Sequence, residues 1–327
     1  MIVAALLIFG LVLLVVGGEL LVRGAVQVAS RLGVSPLIIG LTLVGFGTST
    51  PELVTSVQAG LSGSPGIAYG NIVGSNIANI FLILGLAALI TPILVSANAL
   101  KRDSAVMVGV AVLFTCLAWA MPFGVAVGAV FIGLLAAYIL FAIWQERRVV
   151  GTDHGAVFDK SAAAQIADPA LEQGQTRPGS LILSLAIAIA GLVAVIIGGK
   201  FLVDGAVQLA RGIGISETII GLTIVALGTS LPELVTSVMA ALRKETDMAF
   251  GNIVGSNIYN ILGIGGVTAL IAPSNVPEQI IGFDSLVMIG ASAILVFMAA
   301  SHLQIRRVEG GVLLAGYIGY VAWIWPI

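Results

Sequence analysis

The sequence predicts an all-α polytopic membrane protein, with ten transmembrane helices arranged as two inverted repeats of five helices each. The first observation behind this class is composition. The chain has 327 residues, of which 59% are hydrophobic and only 9% are charged, and its mean hydropathy is +1.13. Soluble domains carry roughly 25% charged residues. This composition therefore indicates a chain that lies mostly in a lipid bilayer.

The second observation is a series of long apolar segments. A hydrocarbon core of about 30 Å needs about 20 apolar residues in helical form. A barrel would instead show segments of about ten residues with alternating hydrophobicity, so helices are favoured. The ten segments are residues 1–18, 34–60, 68–92, 104–121, 124–144, 179–199, 213–242, 249–272, 282–301 and 311–326.

The third observation is an internal duplication with a shift of 181 residues. Residues 17–79 align with residues 198–260 without a gap, and 39 of the 63 positions are identical. The shift carries the first helix onto the sixth, a step of five helices. Because five is odd, the two copies cross the membrane in opposite directions, which is the inverted repeat common in secondary transporters. A shared site is expected near the midplane, where the repeats meet.

Charge distribution predicts the orientation of this topology. Of the 14 basic residues, twelve fall in the loops after the odd-numbered helices, and only Lys200 and Arg211 fall on the other side. Basic loops stay in the cytoplasm. We therefore expect a multi-pass protein of the cytoplasmic (inner) membrane with both termini outside. The first segment lacks a basic leading region, so we interpret it as a retained helix rather than a signal peptide.

The repeats define the domain organisation. Residues 1–144 form the first five-helix repeat, residues 179–327 form the second, and residues 145–178 form a polar linker between them. The linker is too short for a folded regulatory domain, and we expect a mobile cytoplasmic loop. Cys116 is the one cysteine, so no intramolecular disulfide forms. Neither a basic run nor any other pattern indicates nucleic acid or a protein partner.

The duplicated motif "GTSTPELVTS" and "GTSLPELVTS" places the acids Glu52 and Glu233 in otherwise apolar segments. Pro51 and Pro232 lack an N–H, so each leaves a backbone carbonyl without its helical partner and predicts a broken helix. Irregular backbone at membrane depth is tolerated where it lines a polar cavity. A charge at a helix centre costs about 2.5–3.5 kcal/mol, so matched acids in opposed repeats indicate function.

Hydroxyl and amide side chains surround these acids. Helical spacing puts Thr48 and Ser49 on the face of Glu52, and Thr229 and Ser230 on that of Glu233. The following segments carry "GNIVGSNIANI" and "GNIVGSNIYNI". The ligand atoms that these side chains offer to a metal ion are all hard oxygens, which suit Ca²⁺ or Na⁺ and not Zn²⁺ or Cu⁺. Two carboxylates would neutralise one Ca²⁺ or two Na⁺. The amides Asn71, Asn76, Asn252 and Asn257 either cap backbone groups or line the site, and the glycines Gly70, Gly74, Gly251 and Gly255 indicate close helix packing.

These paired motifs resemble the two alpha repeats of the cation/calcium exchanger superfamily, most closely its prokaryotic sodium/calcium antiporters. The resemblance spans both halves of the chain. It implies a cluster of four ion sites between the second, third, seventh and eighth helices, with no cofactor beyond the transported ions. Carried over to this sequence, the metal-binding residues are Glu52, Glu233, Thr48, Thr229, Ser49, Ser230, Ser75, Ser256, Asn79, Asn260, Gly45 and Ala226.

The resemblance implies an antiporter that lets Na⁺ in and drives Ca²⁺ out by alternating access, and not an enzyme. Proton/calcium antiport and potassium-dependent exchange are the alternatives within transport. Some potassium-dependent members carry an acid where this chain has Asn79 or Asn260. A cation channel is a second class, which the inverted repeats disfavour. An intramembrane hydrolase is a third, but no His or Lys is expected at membrane depth to activate a serine.

Overall fold

The computed structural model describes residues 2–32, 45–95, 97–146, 155–167 and 181–325. A short helical turn, Gly45–Gly47, precedes α2. The helices are α1 (Ile2–Arg31), α2 (Thr50–Leu61), α3 (Pro65–Ile90), α4 (Ala97–Ala120), α5 (Val125–Glu146), α6 (Ala156–Ala167), α7 (Leu181–Ile213), α8 (Glu217–Thr229), α9 (Leu231–Leu242), α10 (Thr246–Ile271), α11 (Ile280–His302) and α12 (Arg307–Ile324).

Seven of these helices are long and apolar enough to cross a membrane, namely α1, α3, α4, α5, α7, α10 and α11. The bent pair α8 and α9 counts as an eighth span. Helix α12 matches the last predicted segment, and α2 matches the end of the segment 34–60, whose residues 34–44 lie outside the described part. The polytopic helical class is confirmed, while the count of ten remains a prediction.

Helices α1 and α7 occupy equivalent places in the two repeats and pack antiparallel along their length. A Cβ at Gly10 would meet the backbone of Gly198 at 2.8 Å, and one at Gly17 would meet that of Val195 at 2.8 Å. Residue numbers at the contacts therefore fall along α7 as they rise along α1. Small residues allow this close approach of helix backbones. Antiparallel equivalent helices are what inverted repeats require.

Both of these helices are longer than the segments 1–18 and 179–199 predicted for them. The helical hydrogen-bond ladder continues past the apolar stretch because charged side chains remain compatible with helix. Glu19 and Arg23, four positions apart in α1, form an ion pair on its surface. Such a spacing places two side chains on one helical face.

The interior of the fold is formed by α3 and α10, in whose most apolar stretches 83% and 89% of the residues are buried. Each contains a stretch of π-helix at a matching place, Asn79–Leu84 and Tyr259–Ile264. Such bulges are frequent at functional sites. A two-stranded antiparallel sheet next to α10 pairs β1 (Ile93–Leu94) with β2 (Gln304–Ile305), with Ile93 opposite Ile305.

The predicted linker contains a helix. Its residues 147–154 and 168–178 lie outside the described part, and α6 forms between these two stretches. The side chains of Ala156, Val157, Ala163 and Ala164 are all buried. Their spacing puts them on one helical face, which packs against α9 and α10. The expectation of a mobile loop therefore does not hold for the described part of the linker.

Candidate ion-binding site

The duplicated motif forms a break between two helical pieces in each repeat. Ser49 has φ −90° and ψ 9°, and Ser230 has φ −84° and ψ 11°. A proline follows in the first turn of α2 and of α9. In the second repeat the break bends the helix pair by 49°. The predicted broken helix is thus confirmed there, and the cause is the missing proline N–H.

Glu52 and Glu233 lie in the first turn of the helices that follow these breaks, and each is only 1% exposed. The hydroxyl of Ser49 donates a 3.0 Å hydrogen bond to Oε1 of Glu233. The hydroxyl of Ser230 donates an equal 3.0 Å bond to Oε1 of Glu52. Each acid is therefore held by a serine from the opposite repeat.

The second carboxylate oxygen of each acid, unlike the first, accepts no hydrogen bond from a described residue. Among the described residues, Oε2 of Glu52 and Oε2 of Glu233 are buried without a hydrogen-bond partner. A buried polar atom without a partner is costly, and each such atom calls for a reason. A cation that binds between the acids would supply one.

Side chains from α3 and α10 complete the polar cluster. The hydroxyl of Ser230, whose single proton goes to Glu52, lies 3.0 Å from the hydroxyl of Ser75, which donates to the carbonyl of Ala226 at 3.4 Å. On the other side, the hydroxyl of Ser256 lies 3.5 Å from Oε1 of Glu233. The structure thus brings together the predicted residues of both repeats around the two acids.

The threonines and the glycine predicted as ligands lie at the breaks. The hydroxyl of Thr229 donates to Oδ1 of Asn71 at 2.8 Å, so this hydroxyl is already occupied. Thr48 lies in the turn before α2 and is half-buried. Gly45 begins the short helical turn that precedes it. Their backbone carbonyls remain the predicted ligand atoms.

Asn79 and Asn260 occupy equivalent places at the start of the π-helical stretches but have different partners. The amide of Asn79 donates to Oδ1 of Asn257 at 3.0 Å. Its own Oδ1 has no hydrogen-bond partner among the described residues, and the same holds for both polar atoms of Asn260. The two amide oxygens add neutral acceptors to the cluster.

The four other asparagines of the duplicated segments, Asn71, Asn76, Asn252 and Asn257, all donate to backbone carbonyls. Asn71 donates to the carbonyl of Glu52 at 3.1 Å, and Asn252 donates to that of Glu233 at 3.3 Å. Asn76 donates to Ile72 at 2.7 Å, and Asn257 to Asn76 at 3.4 Å. Backbone capping, one of the two roles left open by the sequence, is thus observed for all four, and Asn71 and Asn257 also accept hydrogen bonds from the predicted ligands Thr229 and Asn79. It fixes the helical pieces that carry the acids.

The predicted packing role of the glycines is confirmed. A Cβ at Gly70 would meet the backbone of Leu222 at 2.9 Å, and one at Gly74 would overlap the same residue. In the second repeat, a Cβ at Gly251 would overlap Asp159, and one at Gly255 would meet Lys160 Cδ at 3.2 Å. The first pair packs on α8 and the second pair on the linker helix α6.

Lys160 is a site residue that the sequence analysis missed. Its side chain is fully buried, and its Nζ donates to Thr48 Oγ1 at 2.8 Å and approaches Glu233 Oε1 at 3.4 Å. Burial lowers the pKa of the Lys160 ammonium, and the carboxylates of Glu233 and Glu52 oppose that shift. The local signal is limited to spacing, since Lys160 lies on the same helical face as Val157 and Ala164, and that spacing does not show what the face packs against.

The chemistry of this cluster is that of a hard-cation site. It combines two buried carboxylates with hydroxyl, amide and carbonyl oxygens. Within the described residues, no three His, Cys, Asp or Glu side chains lie close enough together to hold a metal ion. The cluster of oxygen ligands suits Ca²⁺ or Na⁺ and disfavours soft transition metals. Together, the fold and this site define a multi-pass membrane transporter built from inverted repeats.

Comparison with known proteins agrees with this class. The family model described as sodium/calcium exchanger protein matches residues 2–144 and 183–325, so the chain belongs to that family. It is 36% identical to the sodium/calcium exchanger MaX1 of Methanosarcina acetivorans, over 97% of this chain and 96% of that one. It is 34% identical to the inner membrane protein YrbG of Escherichia coli, over 98% and 95%. A solved structure of the sodium-calcium exchanger NCX_Mj matches with a TM-score of 0.63 and 32% identity, covering 98% of both chains.

Proposed function

We propose that this protein exchanges Na⁺ for Ca²⁺ across the cytoplasmic membrane by alternating access, and that Na⁺ entry drives Ca²⁺ extrusion. The observation that carries the proposal is the reciprocal pair of bonds from Ser49 to Glu233 and from Ser230 to Glu52. It places two carboxylates at the boundary between the repeats, each with one oxygen left for an ion. Membership of the exchanger family supports the same conclusion.

Charge balance explains how one site serves both ions. Two carboxylates carry two negative charges, which one Ca²⁺ or two Na⁺ neutralise. Leaving a charge unbalanced inside a protein is costly. The site therefore favours complete occupation by one ion type over mixed partial occupation. Binding of Na⁺ displaces Ca²⁺, and this competition is the physical basis of exchange.

The predicted ligands take the following roles in this proposal. Glu52 and Glu233 bind Ca²⁺ directly and also border the Na⁺ positions. Thr48 and Thr229 lend backbone carbonyls to Ca²⁺. The remaining residues serve Na⁺ or line the centre of the cluster, and they are Ser49, Ser230, Ser75, Ser256, Asn79, Asn260, Gly45 and Ala226. We expect no cofactor beyond the transported ions, and the sequence indicates no protein partner.

The inverted repeats supply the movement. Rocking of one repeat against the other around a fixed midplane site opens that site to each side in turn. Because each glutamate is bonded by a serine of the other repeat, such rocking alters both halves of the site together. The linker faces the cytoplasm and both termini lie outside in this proposal, as the distribution of basic residues predicts.

The test is calcium uptake by the purified protein in proteoliposomes under one imposed gradient at a time. A gradient of Na⁺ should drive Ca²⁺ uptake, while gradients of K⁺ or H⁺ alone should not. Uptake driven by H⁺ alone would favour a proton/calcium antiporter instead. A requirement for K⁺ together with Na⁺ would favour potassium-dependent exchange.

A further inference from the structure

The side chain of Lys160 reaches from the linker into the cation site. Its Nζ donates to Thr48 Oγ1 at 2.8 Å and to Ser49 Oγ at 3.4 Å, contacts the hydroxyl of Ser256, and lies 3.4 Å from Glu233 Oε1. Three of these residues are predicted Na⁺ or Ca²⁺ ligands, and the fourth is one of the central acids. An ammonium surrounded by hydroxyls and a carboxylate has the oxygen environment of a bound monovalent cation.

Helix α6 is held in place by contacts outside the cation site. The N–H of Ala156, at its first turn, donates to Oδ2 of Asp103 in α4 at 3.0 Å. A carboxylate at a helix N-terminus stabilises the helix, because it lies at the positive end of the helix dipole. Along its length, α6 lies on Gly251 and Gly255 of α10, where no side chain keeps the helices apart. The packing on α10 and the hydrogen bond to Asp103 therefore fix the position of Lys160.

The two halves of the site differ where Lys160 enters. In the half with Glu52, the hydroxyl of Thr229 donates to Oδ1 of Asn71. The equivalent pair in the other half is Thr48 and Asn252. There Thr48 accepts from Lys160, and Oδ1 of Asn252 has no hydrogen-bond partner among the described residues. The ammonium therefore replaces an interaction that the repeat symmetry would otherwise provide.

From this geometry we propose that Lys160 is a tethered competitor of the transported cations, which occupies the Glu233 half of the site until Na⁺ or Ca²⁺ displaces it. The proposal rests on the proposed function, since it requires that the site binds these ions. Docked α6 closes the site and holds the protein in an ion-free state. Transport requires α6 to leave.

The exchange between lysine and ion follows from charge. The Lys160 ammonium has left water, and the two carboxylates are what offset that cost. An ion that neutralises Glu233 and Glu52 removes this compensation, so the lysine returns to water and α6 undocks. Because Lys160 belongs to the same chain as the site, its competition with the transported cations is intramolecular and does not depend on protein concentration.

The experiment compares wild type with Lys160→Met, which keeps an unbranched side chain and removes the charge. Ca²⁺ and Na⁺ binding to the purified protein is measured by isothermal titration. If α6 is docked for roughly nine-tenths of the time, the variant binds about tenfold more tightly. The exposed Lys101→Met is the matched control and should leave both affinities unchanged. Asp103→Asn weakens the bond to Ala156 and should shift affinity in the same direction by a smaller factor.

Hydrogen exchange of residues 156–167 supplies a second readout that needs no transport. In wild type, saturating Ca²⁺ should speed exchange in this segment, and in Lys160→Met that effect should shrink. The inference would be overturned if wild type and Lys160→Met had equal ion affinities and Ca²⁺ did not change the hydrogen-exchange rate of α6. That result would leave the proposed function standing. Binding of neither ion by wild type or variant would overturn both. Binding by the variant alone would support a competitor that dominates the site.

Discussion

The hydroxyl of Ser230 donates a 3.0 Å hydrogen bond to the carboxylate of Glu52, a residue 178 positions away in the opposite repeat. A bond to a charged acceptor is worth about 1.5–3 kcal/mol. Since the mirror bond joins Ser49 to Glu233, the two repeats are linked at their common site by a matched pair of such bonds. Movement between the repeats therefore acts on both acids at once.

Replacement of either acid by its amide should abolish calcium exchange. Glu52→Gln and Glu233→Gln each keep the size of the side chain and remove one of two charges. A missing charge in a buried pair costs about 3–5 kcal/mol, which corresponds to a loss of about 100-fold or more in Ca²⁺ affinity. The measurement is Na⁺-driven Ca²⁺ uptake into proteoliposomes, with monodisperse gel filtration to show folding.

Glu278→Gln is the control for this pair, because Glu278 is exposed and lies outside the site. It should retain normal uptake. Normal uptake in purified Glu52→Gln or Glu233→Gln would show that the acids do not bind the transported ion.

The contact between α3 and α8 predicts a stability difference between two glycine substitutions. A Cβ at Gly74 would overlap the backbone of Leu222, whereas a Cβ at Gly109 in α4 would meet nothing within 4 Å. Overpacking at such a contact costs about 1–3 kcal/mol. Gly74→Ala should therefore lower the Tm of the detergent-solubilised protein, and Gly109→Ala should leave it unchanged or slightly raised. Equal melting of the two variants would contradict the close packing of α3 on α8.

Orientation in the membrane is tested by thiol labelling. We expect the linker in the cytoplasm, because twelve of the 14 basic residues fall on its side. In a Cys116→Ser background, Thr152→Cys should resist an impermeant thiol reagent in intact cells and react after the cells are permeabilised. A cysteine added after Ile327 should react in both conditions. Rapid labelling of Thr152→Cys in intact cells would reverse the topology.

Much of the fold follows from sequence because its causes are local. A bilayer requires long apolar helices, so the long apolar segments predict the membrane-spanning class, and the duplicated PEL motif predicts both the break and the two acids. The hydrogen bond from Ser230 to Glu52 could not be predicted in this way, because it joins positions far apart in the chain. The sequence predicts that the repeats meet near these residues, but it does not show which serine bonds which acid.

Lys160 shows why part of the site was missed. A polar linker between two repeats is commonly a solvated loop, and its basic residues served only as markers of the cytoplasmic side. The buried stripe of Ala156, Val157, Ala163 and Ala164 is short and its residues are small, so it contributes little to mean hydropathy. Whether such a helix docks depends on the surface it meets, here Gly251 and Gly255, which no local pattern reveals.

The amide of Asn260 leads to the last prediction, which concerns coupling to K⁺. Both of its polar atoms lack a hydrogen-bond partner among the described residues, and it lies on α10 four positions after Ser256. An amide supplies a neutral oxygen, so the wild-type site works with two carboxylates. Ca²⁺ or two Na⁺ then complete the charge balance, and K⁺ has no part in it. Na⁺-driven Ca²⁺ flux in wild type should be equal with and without K⁺.

Asn260→Asp adds a third carboxylate of nearly the same size to this cluster. When ionised, it needs one more positive charge, and a monovalent cation such as K⁺ is the simplest source. Flux through this variant should therefore rise when K⁺ is added, most clearly at alkaline pH, where the new acid is ionised. Asn275→Asp, at an exposed asparagine, is the matched control and should not respond to K⁺. A strict K⁺ requirement in wild type would show that two carboxylates do not complete the charge balance of this site.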